Sequence, residues 1–466
     1  VKQQGEQLQM ENYMFNAAPT ARPLFKERVL WITLLGLFFF LVYGSSNEIA
    51  ALTAPHPSFF WEWERGIPFI PEFIIPYMSS DLVFVIAFML APSRQDIQKL
   101  GMRLGLAIII SATLFLLMPL QFSFERPEVT GWSTGLFELL SLDKPYNQFP
   151  SLHISLGFLA WLEIRLRLNG IAGWLVSLWF LSIAASTLFV YQHHAIDLLG
   201  AVAVTALLFH LIPPTGQGRL KLNFVTPRHL HMALRYLVLA TLATLGAFNS
   251  TLVASVILGW IAVSLLGVSF SYTLGLNGFM KKRQGRYPLS SWLLFWPYII
   301  GCRINWRYWQ TRVPLMAEIQ PGIWIGASPS ANNWQYLKET GICSVIDLAP
   351  ELASSAPDDL EYHHLPLLDI AIPAPEILDQ IAQRIRSQQS SGSVYIHCAL
   401  GMSRSVLGVC AWMIMEGATK EEALARVDRA RPERVRRPYI TIALDLYERH
   451  LEKSSSPKPN PNPAPV

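Results

Sequence analysis

The longest uncharged stretch of this chain, Tyr236 to Met280, runs for 45 residues without an Asp, Glu, Lys or Arg. At about 20 residues per crossing of a ~30 Å hydrocarbon layer, it holds two membrane helices, and Asn249-Ser250-Thr251 is the natural turn between them. The same texture recurs upstream. Val29–Asn47, Leu104–Phe124, Asn147–Leu162, Leu168–Gln192 and Leu198–Gly218 are uncharged, and Ile74–Ala91 carries only Asp81. The expectation is a polytopic α-helical membrane bundle of about eight spans within residues 29–280. Composition agrees: only 15% of residues are charged, against about 25% in an ordinary soluble domain. The net charge of +4 gives no electrostatic footprint for nucleic acid. The first run follows a polar leader, residues 1–28, and no small-residue cleavage site follows it, so it reads as a retained helix.

Lys and Arg alternate between loops. Lys26 and Arg28, then Arg94, Lys99 and Arg103, then Arg165 and Arg167, then Arg219, Lys221, Arg228 and Arg235, then Lys281 to Arg286 all fall on one side of the eight-span drawing. By the positive-inside rule that side is cytoplasmic, with both termini on it, in a bacterial-type inner membrane. Residues 281–321 form a basic linker. Its apolar segment Ser290–Cys302 is too short to cross and, with Trp292, Trp296, Trp306 and Trp309, reads as interfacial.

From residue 322 the texture becomes that of a soluble α/β domain ending near residue 453, followed by a Ser/Pro/Asn-rich tail, residues 454–466, expected to be disordered. Short β-type runs at Ile323–Ile325, Ser344–Leu348 and Val394–His397 alternate with helical stretches. The four cysteines are Cys302, Cys343, Cys398 and Cys410, and no two make a Cys-x-x-Cys pair, so neither a disulfide scaffold nor a zinc site is indicated. One of them stands apart. The strand Val394–His397 runs into Cys398-Ala399-Leu400-Gly401-Met402-Ser403-Arg404-Ser405, which opens a helix. Backbone N–H groups of such a loop, added to a helix N-terminus, bind a phosphate dianion and favour a thiolate. Arg404, six positions after Cys398, can return its guanidinium to the same phosphate.

This stretch resembles the His-Cys-x5-Arg-Ser signature of the dual-specificity protein phosphatases. The likeness extends to Ile323–Ser328, Gly341–Leu348 and Arg431-Pro432. It implies that Cys398 attacks phosphorus to form a phosphocysteine, and that Arg404 and the loop from Ala399 through Leu400, Gly401, Met402 and Ser403 hold the phosphoryl oxygens. It implies that Ser405 assists breakdown of the intermediate and that an upstream Asp is the general acid. Asp369 fits that place, with Asp358 and Asp359 as weaker alternatives. The side chains of Ala399, Leu400 and Met402 are uncharged, whereas inositide-directed relatives carry basic residues there.

Two spans open with polar clusters. Asn147-Gln148-Phe149-Pro150-Ser151-Leu152-His153 precedes one, and Tyr191-Gln192-His193-His194-Ala195-Ile196-Asp197 the other. His193 and Asp197 lie at i, i+4 on one helix face, so the carboxylate can orient the imidazole. Two positive helix ends converging on one spot suit phosphate, and Arg126 in the preceding outer loop can add a fixed cation.

These clusters resemble the motifs of the type 2 phosphatidic acid phosphatase superfamily, in the form of its inositol-phosphorylceramide-synthase-like branch, over roughly residues 60–212 with a six-helix core. The resemblance implies a His193 nucleophile oriented by Asp197, a His153 general acid, and phosphate contacts from Arg126, Asn147 and Ser151. Two cations of the wider superfamily are replaced here by Pro119 and Thr187. His194 is expected to support His193 from behind, and Asp81 either to line a cavity or to pair in the interior.

The whole is expected to be a membrane protein with two phosphoryl-transfer sites needing no metal or other cofactor. The outer one would act on a lipid or isoprenoid phosphate within the bilayer, the cytoplasmic one on a phosphoprotein or other phosphomonoester. The competing readings are a lipid head-group transferase for the membrane domain, a catalytically dead phosphate-binding module, or a transporter or scaffold.

Overall fold

The computed structural model describes residues 24–214 and 224–455. Most of the N-terminal leader, the cations Arg219 and Lys221, and the tail from residue 456 lie outside the described residues. The chain forms two compact units that meet in sequence at Gln217 and Gly218.

The first unit is helical: α1 (Phe25–Leu52), α2 (Ile74–Met78), α3 (Ser80–Leu90), α4 (Arg94–Leu117), α5 (Thr134–Leu140), α6 (Leu152–Arg165), α7 (Gly170–Phe189) and α8 (Ala195–Leu211). Its core is aliphatic, with Leu100, Leu104 and Ile108 of α4 against Leu159 of α6 and Leu208 of α8. Ser93 caps α4 by accepting from Asp96 N at 3.2 Å. That start places Arg103 inside the helix rather than in the loop the charge pattern suggested. It is buried there, bonded to Glu163 of α6 at 2.7 Å and to the Ile212 carbonyl at 2.8 Å. Asp81 neither lines a core nor pairs within it: it is exposed in the first turn of α3.

The second unit opens with a helical hairpin, α9 (Pro227–Phe248) and α10 (Leu252–Thr273), turning at residues 249–251 as expected. Pro227 at the first helical position starts α9 earlier than the uncharged run does, so Arg228 and Arg235 belong to the helix. The interfacial segment is longer than expected: α11 spans Leu289–Trp309 with Pro297 inside it.

Among the described residues six helices are long and apolar enough to cross a membrane: α1, residues 71–90, α4, α7, α9 and α10. Two of the eight expected spans are shorter than these, α6 and α8, with 14 and 17 residues. Fourteen residues rise only ~21 Å. The cause is local. The polar clusters at residues 147–151 and 191–194 stay outside the helix, and each helix begins only at its cap. Ser151 Oγ accepts from Ile154 N at 3.3 Å, and Asp197 Oδ2 accepts from His194 N at 2.9 Å.

After α11 comes a five-stranded sheet: β1 (Met316–Gln320), β2 (Ile323–Ala327), β3 (Ile342–Asp347), β4 (Glu361–His364) and β5 (Ser393–Cys398), in the order β1-β2-β5-β3-β4. Only β1 pairs antiparallel. Helices α12 (Asn333–Glu339), α13 (Pro375–Gln389), α14 (Arg404–Met415), α15 (Lys420–Ala430) and α16 (Pro438–Ser455) complete it. β5 is central and buried on both faces, which is why it reads as an apolar run rather than an alternation. Ile396 of β5, Ile346 of β3, Leu378 of α13 and Val409 of α14 form the middle of the core. The register sets Cys398 beside Ala327, and Asp347 beside His397, at the carboxyl ends of the parallel strands, where open α/β sheets bind ligands.

Candidate active sites

Cys398 is the last residue of β5 and Arg404 the first of α14, so five loop residues must turn the chain between them. Gly401 makes that turn possible. Its φ is +70°, and an added Cβ would stand 2.4 Å from the Gly326 carbonyl carbon. The loop carbonyls are tied to protein on the outer side. Ser328 N reaches Ala399 O at 3.1 Å, and Val435 N reaches Met402 O at 2.8 Å. The buried Arg431 donates to Gly401 O at 2.7 Å and to Leu400 O at 2.9 Å. A trans peptide holds N–H opposite C=O, so fixing the carbonyls outward turns the amides toward the sulfur. Ser403 Oγ is fixed by the Tyr439 hydroxyl at 2.7 Å.

Cys398 Sγ lies 3.4 Å from Ser405 Oγ. Burial alone would push this thiol up. The Arg404 charge and the hydrogen bonds of Ser405 outweigh it and hold the thiol below its ordinary value. Arg404 is itself buried and gripped by Glu351, at 2.8 Å through NH1 and 2.5 Å through NH2. NH1 also donates to Leu367 O at 3.2 Å, and Nε faces Asp369 Oδ1 at 3.2 Å. Asp369 is 43% exposed, toward the cleft. Desolvation by the surrounding protein, together with the neighbouring Glu351, pushes its carboxyl above the usual range, against the pull of Arg404. Asp369 thus joins Cys398, Arg404 and Ser405. Asp359 is instead spent on Lys338 at 2.6 Å, and both it and Asp358 are exposed surface residues.

Four groups whose role at this site the sequence did not reveal support it. Glu351 follows β3 and carries no motif; the only hint was an acid placed just beyond a parallel strand. Lys282, in the connector after α10, is fully buried against Asp347 at 2.6 Å and Leu352 O at 2.7 Å. Burial would raise the Asp347 carboxyl, but the Lys282 and His397 charges hold it well below the usual carboxylate range. Tyr272, at the end of α10, donates to Asp369 O at 2.9 Å, and Arg228 of α9 donates to Ile370 O at 3.0 Å. Ile370 needs such anchors, since its φ is +55°, the left-handed region that branched side chains avoid.

In the first unit, His193 Nδ1 lies 3.2 Å from Asp197 Oδ2. Ser151 N donates to Asp197 O at 3.0 Å, which brings the N-termini of α6 and α8 together. Arg126 lies beside them, bonded to Val190 O at 3.2 Å and Tyr191 O at 3.3 Å. His153 stacks on Tyr77, with ring centroids 4.2 Å apart, and its buried Nε2 has no hydrogen-bond partner among the described residues. Asn147 is placed differently from a phosphate ligand. Its amide donates to Tyr43 O at 3.0 Å and Ser46 Oγ at 3.1 Å, which braces α1. Ser151 Oγ is likewise engaged as the α6 cap. His194 faces away from His193. It contacts Glu64 Oε2 at 3.1 Å and Ser123 Oγ at 3.2 Å, stacked on Phe122. Glu64 also accepts from Ala195 N at 3.0 Å and so pins the start of α8. Among the described residues, no three His, Cys, Asp or Glu side chains converge as a metal site would require.

Residues 323–450 match the family described as "Dual specificity phosphatase, catalytic domain". Dual specificity protein phosphatase 1B of Arabidopsis thaliana is 36% identical over 119 residues, 24% of this chain and 70% of that protein. Dual specificity protein phosphatase 14 of Mus musculus is 32% identical over 101 residues, 21% of this chain and 51% of that protein. The crystal structure of human DUSP28 aligns at 18% identity with a TM-score of 0.27, covering 30% of this chain and 96% of that one. The chain thus spans 70% of the first relative and about half of the second, and the family match falls in its C-terminal part.

Proposed function

Since the chain belongs to the dual-specificity phosphatase family through residues 323–450, and is in that part a phosphoric monoester hydrolase, we propose that the whole is a bifunctional membrane phosphatase with a cysteine site and a histidine site. The cysteine site acts on phosphoprotein or phospholipid monoesters. One observation carries this: Cys398, Arg404 and Asp369 meet under a loop whose carbonyls are all held outward. The thiolate of Cys398 attacks phosphorus and the bond to the ester oxygen breaks. Asp369 gives its proton to that oxygen, and Arg404 with the loop amides balances the charge on the other oxygens. Water then attacks the phosphocysteine and passes its proton to Asp369. Ser405 hydrogen-bonds the leaving sulfur, and phosphate departs with the thiolate restored.

The histidine site acts on a lipid or isoprenoid phosphate. The contact of His193 with Asp197, at the meeting of two helix N-termini, favours it. Asp197 holds a proton on His193 Nδ1 and leaves Nε2 free to attack phosphorus, and His153 protonates the leaving alkoxide. The same chemistry with an alcohol as acceptor would make this domain a head-group transferase. The six long apolar helices, with α6 and α8 as shorter crossings, and the basic loops favour an inner-membrane protein with both termini cytoplasmic and the histidine site outside. Reporter fusions at Thr134 and at the C-terminus should then report opposite sides; the same side for both refutes the topology.

The activities are separated by assaying purified full-length protein as wild type, Cys398→Ser and His193→Ala. Aryl phosphate turnover should vanish in Cys398→Ser and persist in His193→Ala. Release of phosphate from labelled lipid should keep a His193-dependent part. A new labelled lipid in place of phosphate selects the transferase, and full aryl phosphate turnover in Cys398→Ser ends the cysteine reading.

A further inference from the structure

The cleft above Cys398 is far larger than a phosphoryl group requires. It encloses about 1040 Å³, the upper end of small-molecule sites. Its base is Cys398, Arg404 and Asp369. Much of its wall belongs to the helices that precede the catalytic domain in the chain, all within the second unit. Ile257, Ile261 and Leu265 of α10 line it at i, i+4 and i+8, one continuous helix face, opposite Trp296 and Ile300 of α11. Both α9 and α10 are long and apolar enough to cross a bilayer.

The wall has a direction. Tyr272 holds the backbone of Asp369, and from there to Ile257 is fifteen residues, roughly 22 Å along the helix. That exceeds half of a ~30 Å hydrocarbon layer. The groove therefore begins at the catalytic sulfur and follows α10 toward its far end. Ile257 and Ile300 remain 45% and 44% exposed there, as residues facing hydrocarbon would be.

The charges select further. The loop side chains at the cleft are Leu400 and Met402, not cations. Fixed positive charge stands outside the loop, on Arg228, Arg235 and Arg437. Arg228 is steadied over the Tyr439 ring at 5.0 Å. One phosphoryl group on an apolar body fits this pattern. A polyphosphorylated head group lacks cations within the loop, and an extended phosphopeptide would leave its backbone N–H and C=O groups against aliphatic and indole faces.

We infer that the cysteine site takes the phosphomonoester of a membrane lipid, with the phosphate on Cys398 and Arg404 and the hydrocarbon chain along Ile257, Ile261 and Leu265. This rests on the reading of Cys398 as the nucleophile. Attack on phosphorus breaks the P–O bond to the lipid alcohol, which leaves with the proton of Asp369; water completes the cycle and releases phosphate.

The test uses full-length His193→Ala in nanodiscs, so that only the cysteine site turns over. Three probes are compared: dioleoyl phosphatidic acid in the disc, a soluble phosphotyrosine peptide, and p-nitrophenyl phosphate. The lipid should exceed the peptide in kcat/KM by about tenfold or more, the scale on which apolar pockets discriminate. Ile261→Trp, which fills the groove with another apolar side chain, should lower the lipid-to-aryl ratio by about tenfold. A lipid-to-peptide ratio short of about tenfold overturns the inference, and preference for the peptide makes the partner a protein. An unchanged lipid-to-aryl ratio in Ile261→Trp overturns it as well. If Cys398→Ser abolishes aryl turnover in any of these cases, the cysteine mechanism stands while the lipid assignment falls. If no probe shows Cys398-dependent turnover, both fall.

Discussion

Tyr272→Phe removes a single oxygen from the end of α10, yet it should change which substrates the phosphatase can cleave. The lost hydroxyl donates to Asp369 O at 2.9 Å, and the phenol ring is buried. The next residue, Ile370, holds φ at +55°, so this loop is kept in place against its own backbone preference. Deleting one neutral hydrogen bond costs about 0.5–1.5 kcal/mol, and a carbonyl left partly dry adds to that. Taking ~1.4 kcal/mol, the ratio of placed to displaced Asp369 falls about tenfold. Arg228, bonded to Ile370 O at 3.0 Å, keeps the loss from being larger. The effect should depend on the leaving group. An alkoxide needs the proton of Asp369, whereas nitrophenolate leaves nearly without it. The assay is kcat/KM for an alkyl phosphate and for p-nitrophenyl phosphate, in wild-type and Asp369→Asn backgrounds. The alkyl substrate should lose up to about tenfold in the wild-type background and the aryl substrate much less. In Asp369→Asn the Tyr272 substitution should add nothing. An equal loss on both substrates, or a loss that persists in Asp369→Asn, refutes the reasoning.

Three further outcomes are expected. The pH profile of alkyl phosphate kcat/KM should be bell-shaped. It rises as Cys398 loses its proton, at a pH below that of an ordinary thiol, and falls as Asp369 loses its own, at a pH above that of an ordinary carboxyl. Asp369→Asn should remove the alkaline limb and cost about 10²-fold at the maximum. Gly401→Ala sets a Cβ 2.4 Å from Gly326 backbone at a φ of +70°, so it should reduce kcat by at least about tenfold while circular dichroism still shows a folded domain. Lys282→Met strands the buried Asp347 and should cost about 3–5 kcal/mol, read as lost hydrogen-exchange protection in β3 and β5. Because Asp347 titrates below its unfolded value, the stability this pair gives is whole above about pH 4 and drains as pH falls further.

The catalytic loop was legible because its chemistry is contiguous: sulfur, glycine, arginine and serine occupy eight successive residues between a central strand and a buried helix. β3 and β5 read clearly for the same reason, being apolar and covered on both faces. β1 and β4 did not. They are the edge strands, and Glu361–His364 is a polar tetrapeptide whose strand character comes only from pairing with β3. Glu351, Lys282 and Tyr272 were illegible because each acts through a partner 53 to 97 residues away, at Arg404, Asp347 and Asp369 respectively. In the membrane region, the hairpin turn at residues 249–251 followed from span length alone. The extents of α6 and α8 did not, because the polar clusters that open both runs prefer caps and turns to helix.

The central claim is that Cys398 carries the phosphoryl group. Rapid acid quench of the full chain mixed with p-nitrophenyl phosphate, followed by peptide mass mapping, tests it directly. The account predicts one phosphate on the peptide containing Cys398, formed within the first turnover and absent from Cys398→Ser. Turnover with no phosphate on that peptide, or with phosphate retained elsewhere in Cys398→Ser at undiminished rate, contradicts it.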